Sequence, residues 1–173
     1  VYFWNSGSPK NNVIPDGLLE KNGIELIRNE VVSVDRSKKT VTLKDGEVIT
    51  YEKLIFAIGS VPAVAPIPGI DKKMEFTVRK DFNYLEGMLE ELKSVKDLVI
   101  IGGGFIGVEF ADECRKDHEM NITLIEALPH CLQMAMDDEF CQEAEAKLAE
   151  TGIKILKGSQ VKSIQGDDLV KSV

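Results

Sequence analysis

The sequence is short of the residues from which self-contained catalytic and metal centres are usually built. Its 173 residues include two histidines, three cysteines and one tryptophan, and aromatics make up 6%. His118 and His130 sit at no metal-ligand spacing from a cysteine or an acid, so no metal site is expected. No G-x-x-x-x-G-K-S/T occurs, which argues against a P-loop phosphoryl transferase. Basic residues are outnumbered, 21 against 29 acidic ones, for a net charge of −8. A nucleic-acid surface needs clustered Lys and Arg to displace counterions, so no nucleic-acid partner is expected. No apolar run approaches the roughly 20 residues that span a bilayer, so no membrane span is expected. The opening residues carry no charged stretch followed by a long apolar one, as a secretory signal would. An odd number of cysteines without regular spacing fits a reducing compartment, and the expected localisation is cytoplasmic.

What is present is a soluble, globular composition, 43% apolar and 29% charged. The length suits one domain, or one plus a piece of another, and allows about two-thirds of the unfolded surface to be buried. The apolar opening Val1-Tyr2-Phe3-Trp4 and the strand-like close at residues 169–173 read as the cut ends of a segment from a longer protein.

Residues 23–57 are patterned as short strands. Apolar runs occur at 24–27, 31–34, 40–43 and 48–51, and Lys44-Asp45-Gly46-Glu47 is a strong hairpin signal. Residues 54–58 form a continuous apolar run, as in a strand covered on both faces. Pro62, Pro66 and Pro68 then forbid a helix or a central strand and predict an extended connector. The best boundary lies there, between segments 1–69 and 70–173.

Beyond the connector, helical and strand patterns alternate. Phe82, Leu85, Met88, Leu89 and Leu92 recur at helical spacing. A buried-type strand at 98–101, a helix at 106–117 and a strand at 122–125 follow. A helix from Asp137 places Phe140, Ala144 and Leu148 on one face and ends at Gly152, which suits a left-handed cap. A third strand is expected at 153–156, and a hairpin from arms at 161–164 and 169–173. Strand, helix, strand, helix, strand predicts an α/β fold with a parallel sheet.

The chemistry lies in Gly102-Gly103-Gly104-Phe105-Ile106-Gly107, a G-x-G-x-x-G that directly follows a strand and opens a helix. In this Rossmann-like setting Gly102 permits the tight turn, and Gly104 lets a pyrophosphate approach the backbone. Gly107 lets the helix pack on the strand, and the phosphates rest on free amides at the helix N-terminus. Glu126 ends the second strand a little over 20 residues later, where it can accept hydrogen bonds from the adenosine ribose hydroxyls. It would repel a 2′-phosphate, and residues 127–131 contain no Arg to receive one. NAD(H) is therefore preferred over NADP(H).

Three stretches resemble the pyridine nucleotide-disulfide oxidoreductases, flavoproteins in which an NAD(P)H domain is inserted into an FAD domain. Residues 51–62, with Ala57-Ile58-Gly59, are similar to the family's ATG-like strand beside FAD, with Ile58 where Thr is usual. Residues 98–111 are similar to its nucleotide loop, and Thr123-Leu124-Ile125-Glu126-Ala127-Leu128-Pro129 to the strand end that follows. The nearest likeness is to the NADH oxidase and coenzyme A-disulfide reductase branch. The resemblance implies that 1–69 is a partial FAD-domain segment and 70–173 an NAD(H)-binding domain truncated at its C-terminus. The fold expected is thus a Rossmann-like βαβ domain flanked by a β-rich strip of an incomplete FAD domain. It further implies that the glycine loop, following the ATG-like strand, is the NAD loop.

Carried onto this sequence, the resemblance makes Phe105 a lid over the nicotinamide pocket and Glu109 an acid near the carboxamide. Without it, Phe105 reads as helix-start core and Glu109 as a carboxylate matched to the helix dipole. Gly103 and Ile106 belong to the same NAD loop, while Ala57 and Gly59 would lie beside FAD. No catalytic residue is expected in this segment. Cys114, Cys131 and Cys141 match neither the single Cys nor the C-x-x-x-x-C of the family, and Cys114 suits a packed helix face. The implied function is NADH binding in a parent that passes hydride to FAD. Its partners would be NADH and the rest of its own FAD and C-terminal domains, in a homodimeric parent. On the residues alone, two alternatives stay open. One is a non-catalytic NAD-binding or sensing module. The other is a flavin-free NAD dehydrogenase, which leaves Ala57-Ile58-Gly59-Ser60 without a role.

Overall fold

The computed structural model describes residues 14–117 and 119–173. The apolar opening at 1–4 and His118 lie outside the described residues. The described residues fall into two compact units, 14–59 and 60–173.

In the first unit, a short helix α1 (Asp16–Lys21) precedes an antiparallel sheet of β1 (Val31–Asp35), β2 (Thr40–Leu43) and β3 (Val48–Thr50). Local side chains shape both turns. Asp35 Oδ1 accepts the amides of Ser37 and Lys38, each at 2.9 Å. At the Asp45-Gly46 turn, Asp45 Oδ1 accepts from Glu47 N at 3.1 Å, and Gly46 adopts φ +93°. Val41 and Leu43 are buried on this sheet. Two expected strands are absent. Residues 24–27 and 54–58 form no strand, and Ile55 and Ile58 are each 86% exposed. A strand is a property of a pair, and no described segment supplies these runs with a ladder partner.

The second unit opens with the extended proline-rich connector. Helix α2 (Phe82–Leu92) is capped by Asp81, whose side chain accepts from Tyr84 N at 2.8 Å, the expected device for an orphaned first-turn amide. It buries Leu85, Met88 and Leu92. Then come β4 (Asp97–Ile101), α3 (Phe105–Asp117), β5 (Asn121–Ile125), α4 (Asp138–Glu150) and β6 (Lys154–Leu156). The three strands pair in the order β4-β5-β6, all parallel, with Ile100 opposite Leu124 and Leu124 opposite Ile155.

One face of this sheet is covered. Ile100, Ile122 and Leu124 form a continuous core with Phe110, Ala111 and Cys114 of α3 and Cys141 and Leu148 of α4. The residues that alternate with them point the other way, and Val99 and Ile101 are more than two-fifths exposed. The run at 98–101 is thus buried on one face rather than two. Helix α4 also packs one residue off the expected face, burying Cys141, Glu145 and Leu148 while Phe140 is exposed. Both sets have helical spacing, so periodicity alone did not separate them.

The closing hairpin is reduced to single bridges. Gln165 pairs with Ser172, and Leu169 bridges to Lys73 of the connector side. Pro68 O accepts the amide of Ile164 at 2.8 Å, and Asp168 O that of Lys73 at 2.9 Å. The arms spend their backbone groups on residues 68–73, which leaves too few for a ladder of their own.

Candidate nucleotide site

The site forms where β4 turns into α3. Gly102 ends the strand at φ +105°, a conformation that strains any residue with a Cβ, and donates its amide to Ile125 O at 2.8 Å. That bond ties the loop to the end of β5. Gly107 lies in the first turn of α3, where a Cβ would stand 1.9 Å from Gly102 O. Only glycine permits this crossing of helix over strand end. A Cβ on Gly103 would meet Cys131 Sγ at 2.6 Å, so the loop floor is closed by packing. Gly104 differs from both: nothing lies within 4 Å of where its Cβ would be. Its carbonyl accepts from Val108 N at 3.0 Å, so it caps the helix and leaves the first-turn amides of α3 without helical acceptors. A bare, outward-facing backbone at the positive end of a helix fits a diphosphate.

Glu126 comes from the end of β5 and turns into this loop. Its Oε2 accepts from Gly103 N at 2.6 Å and its Oε1 from Leu128 N at 2.7 Å. Each carboxylate oxygen has two lone pairs, so both can still accept a hydroxyl from solvent. The acid is half-buried. It braces the loop and presents charge beside it. Phe105 and Ile106 point outward, 53% and 59% exposed, so Phe105 is not helix-start core. Glu109 is exposed on α3. Ala57 and Gly59 belong to the other unit, where both are exposed and Gly59 adopts φ +71° with open space at its Cβ position.

Behind the loop lies an ion cluster that the sequence reading did not single out. Glu145, the buried charged residue among those described, is 7% exposed. Its Oε1 accepts from Cys131 N at 2.8 Å, and its Oε2 accepts from Lys157 Nζ at 2.6 Å. His130 Nδ1 lies 3.3 Å from both oxygens. Burial works against the charge of Glu145, but the bonds from Lys157, Cys131 and His130 outweigh it and hold its carboxyl below the ordinary value. The signal was available: an acid three and four residues from Leu148 and Cys141 shares their apolar face and needs a partner there. Cys114 and Cys131 are free and buried. Burial, with the carboxylate of Glu113, pushes the Cys114 thiol up to about 12. Burial, with Glu145 and Glu126, pushes that of Cys131 up to about 11. Neither has thiolate character near neutrality.

The chain has counterparts among known proteins. A family model described as pyridine nucleotide-disulphide oxidoreductase matches residues 3–173. The chain belongs to this family. Within it, the nitrite reductase [NAD(P)H] of Bacillus subtilis is 34% identical over 155 residues, which are 89% of this chain and 19% of that protein. Among solved structures, a ferredoxin reductase from Rhodopseudomonas palustris aligns with a TM-score of 0.85 at 26% identity, covering 98% of this chain and 42% of that one. The water-forming NADH oxidase of Lactobacillus brevis, solved with NADH bound, aligns at 0.72 and 27% identity, covering 92% of this chain and 38% of that one. The chain therefore spans less than half the length of these proteins.

Proposed function

We propose that this chain is the NADH-binding region of a flavin-dependent oxidoreductase of the NADH oxidase and coenzyme A-disulfide reductase type. The observation that carries the reading is the bare backbone at Gly104 at the mouth of α3, with Glu126 braced against the neighbouring amide. Gly102, Gly103, Gly104, Phe105, Ile106 and Gly107 form the pyrophosphate and nicotinamide side of the site. Glu126 receives the adenosine ribose, and Glu109 stands one helical turn along α3 toward the nicotinamide carboxamide. Ala57 and Gly59, exposed and unencumbered, are the residues of this chain that would approach FAD. The segmentation that goes with this reading is 1–69 as part of the FAD domain and 70–173 as the NAD(H) domain.

When bound, NADH and FAD would supply the hydride chemistry of the whole protein. The residues here bind and orient. First-turn amides of α3 hold negative oxygens without a counter-cation, and Glu126 fixes the ribose by charged hydrogen bonds. The partners are NADH and the remaining FAD and C-terminal domains, in a homodimeric parent. Three free, buried thiols support a cytoplasmic setting. Among the described residues no helix is long and apolar enough to cross a membrane.

Titration of NADH and NADPH into the chain, followed by nicotinamide fluorescence, tests the reading. NADH is expected to bind more tightly than NADPH, and the purified chain is expected to be colourless. Glu126→Ala should weaken NADH by roughly 1.5–3 kcal/mol, the worth of hydrogen bonds to a charged group. Tighter binding of NADPH, or unchanged NADH affinity in a folded Gly104→Val variant, would overturn it.

A further inference from the structure

Residues 157–159 run alongside the ribose acid. Leu156 O accepts the amide of Glu126 at 2.9 Å, Glu126 O that of Ser159 at 2.9 Å, and Leu128 O that of Gly158 at 2.9 Å. Lys157 and His130 therefore flank the segment that carries Glu126, one from each side of this pairing. Residues 127–133 contain no Lys or Arg, and His130 is their one basic side chain. A phosphate on the ribose would need a cation here, and Lys157 is the ammonium that this stretch of backbone supplies. Its Nζ instead lies 2.6 Å from Glu145 Oε2 and 3.4 Å from His130 Nδ1. Glu145 cannot turn away, because its other oxygen is held by the buried amide of Cys131.

We propose that Glu145 is a cofactor-specificity residue: by capturing the Lys157 ammonium behind the ribose pocket, it withholds positive charge from any 2′-phosphorylated dinucleotide. Discrimination then has two layers. Glu126 repels the phosphate directly, and Glu145 neutralises the ammonium that would otherwise offset that repulsion. Glu145 touches no part of the nucleotide in this arrangement. It acts through Lys157, and its signature is the ratio of two affinities rather than either affinity alone.

The inference rests on the dinucleotide reading of the glycine loop, and the test separates the two. Affinities for NADH and NADPH are measured at low ionic strength on the wild-type chain, Glu145→Gln and Lys157→Gln, with folding of each checked by thermal unfolding. Gln keeps an oxygen for the Cys131 amide but removes the charge. Glu145→Gln is expected to improve NADPH relative to NADH by about tenfold, and 0.5 M salt should shrink that gain, as for a half-exposed ammonium. Lys157→Gln, at a half-exposed position that tolerates change, leaves Glu145 without its ammonium partner. It should move the ratio the other way, against NADPH, by about threefold. If either folded variant keeps the wild-type ratio, the proposal is wrong. If the wild-type chain binds neither nucleotide, it is the dinucleotide reading that has failed, and this inference falls with it.

Discussion

Gly104 and Gly107 lie three residues apart in different neighbourhoods, and each makes its own prediction. A methyl group at 107 would sit 1.9 Å from Gly102 O, a backbone atom that cannot swing away. Gly107→Ala should therefore destabilise the chain by roughly 1–3 kcal/mol, the usual cost of overpacking, as read by urea unfolding. Gly104→Ala meets open space and should change stability by less than about 0.5 kcal/mol. Its effect should appear in NADH affinity instead. A Gly107 variant as stable as wild type would show that the strand-helix crossing is looser than described. The thiols make a second test at this scale. With the Cys114 thiol pushed up to about 12 and that of Cys131 up to about 11, neither should react with a thiol reagent at pH 8 before the chain unfolds. Fast native-state labelling at either position would contradict the burial.

At the scale of elements, Glu145 joins α4 to the loop after β5 and to the residue after β6. Its carboxyl is held below the ordinary value, so the folded state binds its proton less readily than the unfolded chain does. The stability this contributes is complete above the unfolded carboxylate value and is lost as pH falls through the folded one. Acid unfolding should consequently weaken the contact of α4 with the sheet, and Glu145→Gln should flatten that part of the stability profile below about pH 4.5. A profile identical to wild type would mean that the cluster carries no net linkage. At α2, Asp81→Ala removes the bond to Tyr84 N and should cost about 1 kcal/mol, measured by thermal unfolding.

The same elements show what could be read beforehand and why. The parallel half was legible because each signal was local. Leu98-Val99-Ile100-Ile101 leads into three glycines, Asp81 precedes a helical stripe, and Gly152 follows one. The runs at 24–27 and 54–58 look equally strand-like, but a strand needs a neighbour, and pairing is not written in a run's own composition. Glu145 was passed over for a related reason. Its importance comes from Cys131, His130 and Lys157, which lie 12 to 15 residues away along the chain and meet it only after the sheet forms.

At the scale of the whole chain, the two units are unequally provided with core. In residues 14–59 the buried apolar side chains are Val41 and Leu43, whereas the larger unit has a continuous cluster from α2 to β6. Few buried contacts mean low local stability. Amide exchange should be slowest in β4 and β5 and fast throughout residues 24–30 and 52–59. Strong protection of the latter would reveal packing partners that the described residues do not supply.

The one-sided sheet has a practical consequence for anyone who wants this chain as a free-standing dinucleotide reporter. Val99 and Ile101 on its exposed side, with the outer edges of β4 and β6 unpaired among the described residues, invite sticking between copies as concentration rises. Swapping Val99 for threonine should lower the apparent mass in light scattering while sparing nucleotide affinity. That would make solubility adjustable on one side of a layer whose opposite side is already committed to holding the molecule together.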